Sequence, residues 1–344
     1  MATTMGTMEN ATVIAPATSM AETEAAAEPE ATAEGRRDLV IRIRLPFCPY
    51  ACTDCQHGPL LHAGISGKAR YFAALRREIE SAADDFAEHR VSSVIFTGGP
   101  ATTLPADDVA GIIHLVRDRF AMADDAEVVL SAIAGTISVA TLATYRNAHV
   151  NRIAFERYCA LPGDLIGIGA PDCSQAMLET ASVLQQAGWR DSIGLTCYCD
   201  TPGHSETELY KSMADACNLG PDMLRVARNP RAMAMTTAAA EEEGAGERES
   251  SAAGRLSESA SYQKAAAYLV KRGYEACPDS EGLFARTGRR WRSSLPVDPQ
   301  TTDVAGFGMG EVTRIGGLAY RTTLDAELYL AHSDDVSQIA TVLG

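Results

Sequence analysis

Leu39-Val-Ile-Arg-Ile-Arg-Leu-Pro-Phe-Cys-Pro-Tyr-Ala-Cys-Thr-Asp-Cys55 joins a short apolar run, Leu39 to Leu45, to three thiols, Cys48, Cys52 and Cys55, spaced Cys-x3-Cys-x2-Cys. The trio offers three thiolates to a metal site and leaves a fourth position unfilled. Fe–S clusters held only by protein usually take four cysteines, and structural zinc takes four Cys or His ligands. Three close ligands without an evident fourth point to a [4Fe–4S] cluster with one iron open to a small molecule.

The rest of the chain is consistent with a protein that works on small molecules. Its 344 residues, 46% hydrophobic and 22% charged, can bury a large core in one big α/β domain or two smaller ones. A net charge of −15 and a pI near 4.9 argue against nucleic acid or anionic membrane as partners. No run approaches the ~18 apolar residues of a membrane span, and no basic segment followed by an apolar one opens the chain, so a cytoplasmic location is expected. Nine cysteines would suit disulfides only in a secreted context, and the number is odd. Reduced thiols with one metal site fit better. Cys159, Cys173, Cys217 and Cys277 read as buried small hydrophobes.

Residues 1–36 are rich in Ala, Thr and Glu, with no basic residue before Arg36, and read as a disordered acidic tail. A second low-complexity stretch, 231–259, contains Glu241-Glu-Glu-Gly-Ala-Gly-Glu-Arg-Glu-Ser-Ser251 and reads as a solvated insertion. Between and after these, strand-like and helix-like patterns alternate six times. The strands are expected at 39–45, 93–97, 127–131, 150–155, 192–198 and 223–227. Helices are expected at about 68–87, 106–120, 138–147, 172–188, 205–218 and 260–273. Repeated β–α units imply a parallel sheet with helices outside, either doubly wound or a partial (β/α)6 TIM-like barrel. Residues 37–230 would form the core, and 260–344 an extension completing the substrate cleft. Ligands bind at the C-terminal ends of such strands. There the three cysteines follow strand one, Gly98-Gly99 follows strand two and Pro202-Gly203-His204 follows strand five.

An open iron can be chelated by the amino and carboxylate groups of S-adenosylmethionine, and electron transfer from the cluster then cleaves the sulfonium. A glycine pair after strand two would let backbone carbonyls approach the methionyl amino group, although a tight turn explains the pair equally well.

Leu45-Pro-Phe-Cys-x3-Cys-x2-Cys55, Val94-Ile-Phe-Thr-Gly-Gly99, Gly135-Thr136, Val150-Asn-Arg-Ile153 and Pro202-Gly203 resemble, in order and approximate spacing, the HemN-type radical SAM proteins. That group includes the oxygen-independent coproporphyrinogen III oxidase, its heme-chaperone relative and the class C radical SAM methyltransferases. The resemblance runs from about residue 39 to 330. It implies that Cys48, Cys52 and Cys55 ligate three irons and that Gly98 and Gly99 line the methionyl end of S-adenosylmethionine. It also implies that Ser131, Arg152, Thr196 and Gly203 lie near the ribose or adenine. His204 takes the place of a family Gln, as a contact to the adenine or as a structural loop residue. Gly273-Tyr274 and Gly306-Phe-Gly-Met-Gly310 resemble the segment after the barrel, on the substrate side of the cleft. An electron donor of flavodoxin or ferredoxin type is implied as a partner, beside a small-molecule substrate.

Several positions depart from the family's pattern. Asp54 stands where an aromatic residue usually precedes the third cysteine, and Arg44 replaces a histidine. Ser131, Tyr158 and Thr196 replace Glu, Gln and Asp, so their hydrogen bonds lack charge assistance. His57 stands where the porphyrinogen oxidases carry a fourth cysteine, as a contact to substrate or cluster or as a solvated loop residue. Cys197 and Cys199 alternate along strand five, either pointing into the cleft as catalytic thiols or packing beneath it. Arg286-Thr-Gly-Arg-Arg-Trp-Arg292 could hold a carboxylate or phosphate, or form a solvated turn. The chain stops at 344, where longer relatives continue into a cover domain. Taken together the expectation is a radical SAM enzyme, methyltransferase-like or cyclopropane-forming in specialised metabolism. Coproporphyrinogen oxidase-like decarboxylation, or a non-catalytic cluster- or heme-binding relative, is the alternative.

Overall fold

The structure is a computed structural model that describes residues 36–52, 55, 58, 60–157, 169–170, 174–189, 192–233, 255–278 and 280–343. All of them belong to one unit, Arg36–Gly344. The expected acidic tail, most of the 231–259 insertion, and Asp54, His57, Tyr158, Cys159 and Cys173 lie outside the described residues.

Six strands, β1 (Arg37–Leu45), β2 (His89–Gly98), β3 (Met122–Ala132), β4 (Arg152–Phe155), β5 (Ile193–Cys199) and β6 (Met223–Arg228), stand side by side in sequence order. Every neighbouring pair is parallel. Between them run α1 (Ile65–Ala82), α2 (Ala106–Arg119), α3 (Val139–Asn147), α4 (Ser174–Gln186) and α5 (Glu206–Asn218), with α6 (Ala260–Lys271) following β6. Local chemistry fixes two of the helix starts. Ser138 with Thr141, and Ser205 with Glu208, form reciprocal capping boxes that satisfy amide groups left open at the first turn.

The alternation of side chains along the strands sorts the residues into two layers. On β1, Leu39, Ile41, Ile43 and Leu45 are fully buried in one core with Tyr71, Leu75 and Ile79 of α1, while Arg42 and Arg44 point the other way. On β3, Val128 and Leu130 join the same outer core, and Val129 joins a smaller inner cluster with Met223 and Trp291. One residue from each of the six strands, Arg42, Ile95, Val129, Ala154, Thr196 and Arg225, lines a single cavity of about 480 Å³. The six-strand wall is therefore concave, as a partial (β/α)6 barrel requires.

The later chain is more than an extension. β9 (Thr302–Phe307) pairs with β1 in parallel, and β10 (Val312–Ile315), β11 (Leu318–Thr322) and β12 (Ala340–Val342) continue antiparallel beyond it. On the far side, β8 (Leu283–Arg286) and β7 (Tyr274–Ala276) add an antiparallel hairpin to β6. Among the described residues the result is one twelve-stranded sheet with β12 and β7 at its edges.

Residues 287–296 cross the N-terminal ends of the parallel strands. Trp291 is buried there, with its indole nitrogen 3.5 Å from Asp222, and it needs a glycine opposite: a Cβ on Gly194 would stand 2.9 Å from its ring. The Ser293 amide donates to Glu127, Arg292 pairs with Asp125, and Arg152 lies over the Trp291 ring. The end of the arginine run, read from the sequence as an anion site or a solvated turn, thus packs across the strand ends opposite the cysteines.

Candidate cluster and cofactor site

β1 ends at Leu45, and the chain turns through Pro46 into Phe47, which is buried edge-on against Tyr71 with centroids 5.2 Å apart. From this anchor the cysteine segment leaves the C-terminal end of the sheet and returns. The Cys48 amide donates to the Leu61 carbonyl at 3.1 Å, clamping the mouth of the loop, and His62 Nδ1 lies 3.1 Å from the Cys48 carbonyl. Inside the loop, the Cys55 amide donates to the Cys52 carbonyl at 3.2 Å.

Cys48, Cys52 and Cys55 line one cavity of about 350 Å³ together with Gly98, Gly99 and Ser131. Two of the thiols meet hydrogen-bond donors: the Tyr50 amide lies 3.5 Å from Cys48 Sγ, and Arg157 donates to Cys55 Sγ at 3.0 Å. Burial nevertheless raises the Cys48 thiol above its ordinary value; the Tyr50 amide and Arg157 oppose the rise, and Cys55 adds to it. Among the described residues no three His, Cys, Asp or Glu side chains are gathered as for a single metal ion. A cubane binds one thiolate per iron, so its ligands stand apart and line a space, as these three do.

The Gly98-Gly99 turn has a steric cause. Gly98 has φ +80°, and its Cβ would meet the Leu45 carbonyl oxygen at 2.6 Å. At Gly99 a Cβ would stand 1.6 Å from the Phe47 carbonyl oxygen, while its amide donates to Leu45 at 2.6 Å. Only glycine lets the β2 turn press this closely on the cysteine segment. Ser131 holds the turn from below, donating to the Gly99 carbonyl at 3.0 Å and accepting from the Ala101 amide at 3.2 Å. Its hydroxyl is committed to backbone, which differs from the expected ribose or adenine contact.

Other expected residues fall elsewhere. Thr196 lines the lower, 480 Å³ cavity and not the cavity of the cysteines. Arg152 starts β4 and so sits at the opposite end of the strand, 3.6 Å from Glu127. Gly203 occupies a left-handed turn with φ +85°. His204 lines a separate hollow beside Glu206 and Lys264, which pair with each other. Cys197 and Cys199 are corrected outright. Both belong to the outer core with Leu209, Met213 and Cys217 of α5 and Leu269 of α6, on the same side of β5 as Ile193 and Leu195, the side opposite Gly194 and Thr196. Burial pushes the Cys199 thiol up to about 12, and Cys197 is raised likewise, by burial and then by Cys217. Neither is poised as a thiolate. His57 lies outside the described residues.

Five residues lining the two cavities were given no site role by the sequence reading, although Arg44 was noted as a departure from the family's pattern. Glu156 and Arg157 follow β4 at its C-terminal end and line the cysteine cavity, and Arg44 on β1 lines it too. Glu156 also lines the lower cavity, so the two spaces share it. Burial raises the Glu156 carboxyl above its ordinary value, against the pull of Arg157 and Arg225. Arg42 and Arg225 face the lower cavity. The sequence signal for Arg42 and Arg44 is their period-two placement between buried aliphatics in Ile41-Arg-Ile-Arg-Leu45.

No family model matches the chain. Among characterised proteins it is similar to the heme chaperone HemW of Mycobacterium tuberculosis, 27% identical over 184 residues, covering 53% of this chain and 47% of that one. It is also similar to the oxygen-independent coproporphyrinogen III oxidase of Salmonella typhimurium, 28% identical over 118 residues, covering 34% of this chain and 26% of the oxidase. The matched regions thus span about half, or less, of these relatives' lengths. Coproporphyrinogen III oxidase (HemN) from Escherichia coli, described as a radical SAM enzyme, superposes with a TM-score of 0.70 at 18% identity, over 90% of this chain and 73% of that structure. That likeness shows the fold. In its cysteine motif and sequence the chain is similar to HemN-type radical SAM proteins, and it shares the fold of one of them.

Proposed function

We propose that the chain is a radical SAM enzyme in which Cys48, Cys52 and Cys55 hold a [4Fe–4S] cluster and the Gly98-Gly99 turn receives the methionyl end of S-adenosylmethionine. The observation that carries this reading is the single cavity lined by the three thiols and by a turn from which every side chain is sterically excluded. Bound together, the two cofactors supply one-electron reductive cleavage of the sulfonium, and hence radical chemistry on a small organic molecule beside it. The chain's own part is to hold and shield. The Tyr50 amide and Arg157 offset thiolate charge, the Cys48–Leu61 clamp fixes the loop, and Ser131 sets the glycine turn. A flavodoxin- or ferredoxin-type protein is the proposed electron donor.

Among the reactions open to this group we favour methyl transfer or cyclopropane formation over porphyrinogen decarboxylation, on the histidine at position 57 where the porphyrinogen oxidases carry a fourth cysteine. Anaerobic reconstitution followed by dithionite and S-adenosylmethionine tests both levels. 5′-Deoxyadenosine is expected, and its appearance together with S-adenosylhomocysteine supports methyl transfer. 5′-Deoxyadenosine alone favours oxidation or decarboxylation. A full cluster that yields neither product sinks the enzyme reading and leaves a cluster- or heme-binding protein, the role that the name of the matched heme chaperone suggests. Cys55→Ala should abolish the visible absorbance of the cluster; an intact cluster in that variant contradicts the ligand assignment.

A further inference from the structure

The concave face of the wall is cationic in a chain whose net charge is −15. Arg42 on β1 and Arg225 on β6, the first and last of the six parallel strands, both line the lower cavity. Arg42 makes no hydrogen bond or ion pair among the described residues. Arg225 draws down the Glu156 carboxyl through its charge without forming an ion pair with it among the described residues. Half-buried Arg42 and solvent-facing Arg225 thus present guanidinium groups at the cavity wall, a planar fork suited to a carboxylate. The floor is of the opposite character: Trp291, Met223, Leu295 and Val129 form an apolar cluster there.

The geometry points to a substrate site in this 480 Å³ cavity for a small carboxylic acid with an apolar, ring-sized body. The body rests on Trp291, and Arg42 and Arg225 receive the carboxylate. Glu156, shared by both cavities, marks where this space opens toward the cysteines. Named as a substrate site, it rests on the radical SAM reading above. Binding is measured without S-adenosylmethionine or dithionite, so its failure and the failure of that reading are seen separately.

The probe is 1-naphthoate, compared with its neutral isostere 1-naphthamide, titrated into the anaerobically reconstituted full chain. Binding is followed by calorimetry and by quenching of tryptophan fluorescence, for which Trp291 is one of only two indoles. The acid should bind at least about tenfold more tightly than the amide, equivalent to about 1.4 kcal/mol. Arg42→Gln and Arg225→Gln should each remove most of that preference, while Arg42→Lys, which keeps the charge but not the planar fork, should retain part of it. Arg70→Gln, on the exposed face of α1, should change nothing. Trp291→Phe should lose the quenching while calorimetry still registers binding. Equal affinity for acid and amide, no binding of the acid, or a preference that survives in the double Arg42→Gln/Arg225→Gln variant with cluster absorbance intact overturns the proposal.

Discussion

Replacing Glu78 by glutamine should change how the stability of the fold depends on pH. Glu78 lies on α1, buried, and accepts three hydrogen bonds: from the Gly308 amide at 2.8 Å, from Tyr329 at 2.7 Å and from Thr322 at 3.4 Å. Desolvation outweighs those donors, with Glu311 adding a smaller push, and raises the carboxyl from 4.5 to about 7. A shift of that size corresponds to about 3 kcal/mol between the protonation states. Because the folded value is raised, the folded chain holds the proton more tightly than the unfolded one. The stabilisation is complete below the unfolded value of 4.5, is lost as pH climbs through the window up to about 7, and is absent above it. Glu78→Gln cannot titrate. Urea unfolding of both proteins, followed by far-ultraviolet circular dichroism at ~pH 5 and ~pH 8, gives the difference in stability, and groups common to both cancel. Relative to the variant, the wild type should lose about 2 kcal/mol over that interval. A difference that stays flat, or that grows in favour of the wild type with rising pH, refutes the assignment of Glu78 as a buried carboxyl held up by desolvation.

Three further outcomes check the site and the closed end of the barrel. Gly99→Ala must push the glycine turn and the Phe47 carbonyl apart, so urea unfolding should show a loss of about 1–3 kcal/mol or more, and the reconstituted protein should bind S-adenosylmethionine less tightly. Unchanged stability and affinity would mean that the turn is not under steric pressure. Cys197→Ser and Cys199→Ser should each lower stability by about 1–3 kcal/mol, since a hydroxyl is placed in an apolar core, and iron and sulfide analysis should give the same cluster content as the wild type. A fall in cluster content would return these thiols to the cleft. Trp291→Ala should lower the urea midpoint by the equivalent of about 3–5 kcal/mol, and a loss below ~1 kcal/mol would remove Trp291 from the core.

The parts of the site legible in the sequence were those attached to a strand end. Cys48, Cys52 and Cys55 follow an apolar run directly, and Gly98-Gly99 follows another, so placing the strands placed the residues. Parity decided the failures. In Ile193-Gly-Leu-Thr-Cys-Tyr-Cys199 the apolar residues occupy the odd positions, which join the helix-side core, and the two cysteines go with them. Followed through, the alternation already present in the sequence would have turned those thiols outward. Arg152 failed for a different reason, because it begins its strand, and the ligand end of a parallel strand is the other one. The residues that take its expected place, Glu156 and Arg157, come just after Phe155 and carry no motif. The long-range pairing of β9 with β1 has no local signal, and the segment that carries it was read only as an extension.

That pairing sets the order in which the chain can be completed during synthesis. Arg37, at the start of β1, donates to the Gln300 carbonyl 263 residues away, beside the register that joins β1 to β9. At roughly 5–20 residues per second on the ribosome, β1 has its β2 partner early and then waits roughly 10–50 s before its second edge is covered. During that interval the strand that leads into the cysteines presents an open ladder of amides and carbonyls. Release of chains cut short before Thr302 should therefore yield species that associate through β1, and loading of the metal site is best timed after the last quarter of the protein has emerged.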